Sequence, residues 1–162
     1  MGIAGTICSL RNSAEMVPRP EFPWEERPTF SPPPEADELE TFEKAGGFQL
    51  PPEVIEFFRE TDQVIGMSIH NGYWIGGVSK MTLLAHEDRI PRAIDDQPVL
   101  PIATDGGGNL FFVSGAGHVY RWWHDSEESL RVSKSFAAFL QRVAEDWTAF
   151  VLDTPGWSYL VE

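Results

Sequence analysis

Residues 35–60 alternate between polar and apolar with a helical period, twice over. Leu39 and Phe42 lie three apart in a segment opened by Glu35, Asp37 and Glu38 and closed by Gly46-Gly47. Proline suits a first helical turn, carboxylates favour the positive end of the helix dipole, and glycine accepts the left-handed cap. A helix is therefore predicted from about Pro34 to Gly46. A second helix is predicted after Leu50, with Pro51 or Pro52 in its first turn. Val54, Ile55, Phe57 and Phe58 cover one of its arcs, and Glu53, Glu56 and Glu60 the opposite one. The pattern then shifts to short β-rich runs at residues 64–70 and 73–79, joined by Asn71-Gly72, a pair that tolerates the positive φ of a hairpin turn. Residues 99–104, 109–114 and 118–124 read as three more strands. Residues 81–98 fit either a short strand with a loop or a helical turn. A last helix is predicted from Ser133 or Ser135, either of which can cap it. Its apolar stripe is Phe136, Phe139, Leu140, Val143 and Trp147, and the remaining tail is apolar enough to pack back on the domain.

The first 34 residues break this order. Pro18, Pro20, Pro23, Pro28 and Pro32-Pro33-Pro34 remove backbone donors, so residues 1–34 are expected to form an extended proline-rich arm. Phe22, Trp24 and Phe30 would lay it along the domain, which then spans residues 35–162.

Charge narrows the function. With 25 acidic residues against 12 basic ones, the net charge is −13. Such a surface repels phosphate backbones and anionic membranes, which excludes nucleic acid and membrane as partners, and it steers a basic protein toward itself. It also keeps a protein soluble whatever the protein does. A single cysteine, Cys8, leaves neither an internal disulfide nor a cysteine cluster for zinc, and suits a reducing, cytoplasmic setting.

No residue set points to catalysis, a cofactor or a metal. Asp105-Gly106-Gly107-Gly108-Asn109 lacks the lysine of a phosphate loop and reads as a tight strand connection. His70, His86, His118 and His124 are scattered. His124-Asp125 has the make-up of an acid/base couple, yet adjacent strand residues point to opposite faces, so the four are read as structural histidines. The candidates are instead acidic. Glu53, Glu56 and Glu60 share a helix face with Asp62 just beyond, and Asp125, Glu127 and Glu128 follow Trp122-Trp123. Both sets are read as docking surfaces, with a solvated face as the plainer alternative. Only one of Trp122 and Trp123 can face a core from a regular strand, so the other is available to solvent, the arm or a partner.

Several blocks together resemble the SUKH superfamily, which includes bacterial immunity proteins and a fungal cell-wall-synthesis regulator. They are the acidic first helix ending before Leu50-Pro51, the aromatic and acidic second helix, the turn from Pro101 to Asn109, the aromatic strand ending in His124-Asp125, and the Ser135–Leu140 helix start. The likeness covers residues 35–145. It departs from the usual pattern after the second helix, where Thr61-Asp62-Gln63 stands in place of Asn-Gly. The resemblance implies a single α+β domain with a twisted mixed or antiparallel sheet of about five to six strands flanked by three main helices. It further implies a monomeric or weakly dimeric immunity protein that occludes a cognate toxin, often a nucleic-acid-targeting one, or else a non-catalytic intracellular scaffold or regulator.

Overall fold

The computed structural model of the protein describes residues 1–13, 27–67, 69 and 72–161. The prolines at 18, 20 and 23, together with Phe22, Trp24, His70 and Asn71, lie outside the described residues, and with them the hairpin reading of Asn71-Gly72.

The architecture is α+β. The chain runs through α1 (Ile3–Ser13), β1 (Thr29–Phe30), α2 (Ala36–Gly46), α3 (Pro52–Glu60), β2 (Gln63–Met67) and β3 (Tyr73–Gly76). It continues through α4 (Val78–Ala85), β4 (Ala93–Ile94), β5 (Gln97–Thr104), β6 (Leu110–Ser114), β7 (Val119–Trp122), β8 (Ser129–Ser133) and α5 (Phe136–Leu152). All paired strands are antiparallel, in the order β1-β2-β3-β5-β6-β7-β8, with β4 folded back on β5. Among the described residues the sheet thus has eight strands, more than the sequence pattern indicates, and two of them are only two residues long, too short to show any period.

The helices end where local chemistry requires. Glu35 and Glu38 form a reciprocal capping box at the start of α2, and Gly47 at φ 71° closes it. The Ser135 hydroxyl accepts the Ala138 N–H at 3.1 Å and opens α5. The α5 stripe of Phe136, Phe139, Leu140, Val143 and Trp147 is buried, and it packs with Phe57 of α3 and Phe111 of β6 into one aromatic core.

Alternation along β6 then builds two cores on opposite faces of the sheet. Phe111 and Val113 join the main one. Leu110 and Phe112 point the other way, into a smaller cluster with Ile90, Ile94, Val99, Tyr120 and Trp122.

Two helices occupy places where none is clearly written in the sequence. Residues 81–98 begin inside α4, and the expected extended arm contains α1. Ile3, Ile7 and Leu10 recur at i, i+4 and i+7 and are buried against α3 and α5. Every proline of the arm lies beyond residue 17, so the composition that argues for an extended chain says nothing about this first helix.

A buried acid ties the C-terminal segment down. Asp146 of α5 is fully inaccessible, and four donors converge on its carboxylate. Oδ1 accepts from Arg142 Nε at 3.0 Å and Trp157 Nε1 at 2.9 Å; Oδ2 accepts from the Tyr73 hydroxyl at 3.3 Å and the Leu160 N–H at 2.9 Å. Burial, and secondarily the Asp146 carboxylate, push the Tyr73 hydroxyl far above its ordinary value of 10.0. The folded chain therefore holds this proton at a pH where the unfolded chain releases it. Stability from this group is complete below pH 10.0 and is lost as pH rises beyond it. Tyr73→Phe is expected to flatten the decline in melting temperature between about pH 10 and 11 relative to wild type. Parallel declines would remove Tyr73 as its source.

Candidate functional site

The acids read from the sequence are placed very differently from one another. Glu53 accepts the Ala137 N–H at the start of α5 at 2.8 Å, and Asp62 accepts the Val78 N–H at the start of α4 at 2.9 Å. Both are carboxylates at helix N-termini, where free amides and the dipole favour them. Glu56 lies 3.4 Å from the Ala4 N–H in the first turn of α1, and Glu60 receives Arg11 at 3.8 Å through its carboxylate and 3.1 Å through its carbonyl. All four are half-buried, and each has a partner within the chain. They hold α1, α4 and α5 in place instead of forming one free patch.

The second set comes together at a surface. Trp122 is the inward-facing member of its pair, 5 % exposed in the smaller core. Trp123 is half-buried beneath the Arg121 guanidinium, whose carbon lies 4.9 Å from the ring centre. The strand stops at Trp122, and residues 123–128 form a turn in which Asp125, Glu127 and Glu128 are exposed. Because His124 and Asp125 sit in this turn and not on a strand, they meet, with Nε2 2.9 Å from Oδ1. His124 Nδ1 lies 3.0 Å from Asn109 Oδ1, so the turn leans on the 105–109 loop.

That loop is closed on itself. Asp105 Oδ1 accepts the N–H groups of Gly107 at 2.9 Å and Asn109 at 3.3 Å, while Oδ2 accepts Asn109 Nδ2 at 2.9 Å and pairs with buried Arg121 at 2.9 Å. The glycine amide that would serve an anion is turned to a carboxylate of the chain itself, which makes this a strand connection and not a phosphate cradle. Among the described residues no group of three metal-ligating side chains is present.

Beside this loop runs a face that sequence reasoning misses. Trp74 on β3 is 43 % exposed and Leu83 on α4 is 72 % exposed, two large apolar side chains left in water. Between them Lys80 lies over the Trp74 ring at 4.6 Å from its centre. Grooves flank α4. One, of about 270 Å³, runs over Trp74, Leu84, Ile90, Leu110 and Trp122 to Gly106 and Gly108. The other, of about 320 Å³, lies between Leu83, Val78 and the first turn of α2. The second groove carries Asp37 and Glu38, the first carries Lys80 and the ion pair Arg89–Glu87 at 3.9 Å, and Asp125, Glu127 and Glu128 are exposed in the turn that follows Trp122. The pattern does contain a signal. Alternation in Tyr73-Trp74-Ile75 puts Trp74 opposite two buried neighbours, and the buried positions Val78, Met81 and Ala85 leave Leu83 off the inner stripe.

The face thus combines an apolar centre with a charged rim on an α+β domain. The chain belongs to the SMI1/KNR4 family (SUKH-1), whose model matches residues 33–142, more than half of its length. This assignment supports a fold used by immunity proteins and by regulators. No curated protein matches the chain. Among the described residues no helix is long and apolar enough to cross a membrane.

Proposed function

We propose that this protein is a non-catalytic immunity protein of the cytoplasm, which neutralises a basic toxin by covering it one-to-one. The observation that carries the reading is the α4 face, where Trp74 and Leu83 stand exposed beside two grooves, the one at Leu83 edged by Asp37 and Glu38. Aromatic and aliphatic anchors at the centre of such a face set residence time, and rim acids such as Asp37, Asp125, Glu127 and Glu128 speed the approach of a basic partner. Glu53, Glu56, Glu60 and Asp62 contribute by fixing α1, α4 and α5, and their charge adds to the long-range attraction of a chain with net charge −13.

Co-expression tests this function. A toxin-domain protein encoded beside this one should arrest growth alone and lose its effect when this protein is present. Growth arrest that persists at matched protein levels, or turnover of a substrate by this protein that a single Asp or His substitution abolishes, would replace the reading.

A further inference from the structure

The two grooves beside α4 differ in the sign of their charge. At Leu83 the charged residues are Asp37 and Glu38, and among the described residues lining that groove none is basic. Both acids are held in place. Glu38 accepts the Glu35 N–H at 2.9 Å and the Ser79 hydroxyl at 3.2 Å, and exposed Asp37 accepts the Glu38 N–H at 3.0 Å. At Trp74 the balance reverses, with Lys80 and Arg89 set against Glu87. In a chain of net charge −13, that groove runs against the charge of the whole.

Lys80 decides what the Trp74 groove accepts. It is exposed, its ammonium lies over the Trp74 ring, and among the described residues no carboxylate forms an ion pair with it. A cation on an exposed ring is a loose contact, because water competes for the ammonium. It repels a lysine or arginine that would otherwise stack on Trp74, and it offers its donors to an arriving carboxylate. Arg89 adds a second cation. Its pairing with Glu87 joins two exposed side chains, so the guanidinium can turn to an incoming acid at little cost.

We propose that the α4 face takes a protein segment of fixed polarity, with an apolar residue and an acidic neighbour at Trp74 and an apolar residue and a basic neighbour at Leu83. The inference rests on the reading of this face as the docking surface, and it adds which way round the partner lies. Charge complementarity selects this occupant. A uniformly basic segment would satisfy Asp37 and Glu38 but set a cation against Lys80, and a reversed segment would meet like charge at both grooves.

Two capped dipeptides, leucyl-glutamate and leucyl-lysine, test the polarity when titrated to about 20 mM into the full chain labelled with ¹⁵N, a range suited to ligands of so few atoms. The glutamate dipeptide should shift the signals of the Trp74 indole and Gly108, and the lysine dipeptide those of Thr41, Ser79 and Thr82. Lys80→Glu, a change at an exposed position, should weaken the glutamate dipeptide by about tenfold and leave the lysine dipeptide unchanged. The proposal is overturned if both dipeptides shift the same signals, if neither shifts any, or if Lys80→Glu leaves the glutamate dipeptide at wild-type affinity. Trp74 signals that move with the concentration of the protein alone would also overturn it, by giving the face to a second copy. No toxin enters these titrations, so the polarity of the grooves and toxin neutralisation fail separately.

Discussion

Asp146→Ala is expected to destabilise the fold by about 3 kcal/mol, because it removes the acceptor of four donors at once. The Tyr73 hydroxyl is buried on the Asp146 carboxylate, whereas the half-exposed Arg142 can turn to water. Arg142 also holds the Ser158 carbonyl and lies over the Trp157 ring at 5.6 Å, so the segment after α5 should loosen along with the acid. Asp146→Asn keeps the shape of the side chain but replaces one acceptor by a donor. All four partners donate, and an amide nitrogen must face one pair of them; of these only the Tyr73 hydroxyl can reverse its role. Asparagine is thus expected to cost about half as much as alanine. Urea unfolding followed by fluorescence should show a lower midpoint at unchanged slope, and faster exchange of the Leu160 N–H. A midpoint equal to wild type in Asp146→Ala would mean that this cluster adds no stability.

Arg121→Leu is expected to cost a similar amount, about 3 kcal/mol, for a different reason. Arg121 and Asp105 have side chains 8 % and 5 % exposed, and removing the cation leaves a buried carboxylate with only the loop amides and Asn109 for company. The same guanidinium donates to the Leu160 carbonyl at 3.1 Å and covers Trp123. Arg121→Lys should recover only part of the loss, since an ammonium cannot place donors on Asp105 and Leu160 with the fixed fork of a guanidinium. Loosening the 105–109 loop also disturbs one wall of the groove beside α4, so partner binding should fall with stability in this variant. Leu160 is held by Asp146 through its N–H and by Arg121 through its carbonyl, and the two losses should therefore be non-additive in the double variant. Additive losses would separate the two clusters.

The parts of the fold legible in the sequence were those set by local rules. Gly47 closes α2, Pro52 opens α3 and Ser135 caps α5, each through its own backbone or side-chain chemistry, and the α5 stripe has a full helical period to display. Elements fixed by distant neighbours were not legible. α1 carries three buried apolar anchors and is held by α3 and α5; α4 has eight residues; β8 follows a turn whose acids disguise the strand after it. The candidate site divides along the same line. A helical wheel shows that Glu53, Glu56 and Glu60 share a face, but not that α1 and α5 lie against it. Trp122 does line a groove, whose opposite wall comes from Trp74 and α4, roughly forty residues earlier in the chain. Only the sheet order brings those walls together.

Partner binding by the proposed α4 face is tested most directly by calorimetric titration of a candidate basic toxin-domain protein into this one. The predicted result is one-to-one binding in which Trp74→Ala and Leu83→Asp each weaken affinity by about 2 kcal/mol, roughly 30-fold, with melting temperatures close to wild type. Wild-type affinity in both variants, or no binding by the wild-type chain, would contradict it.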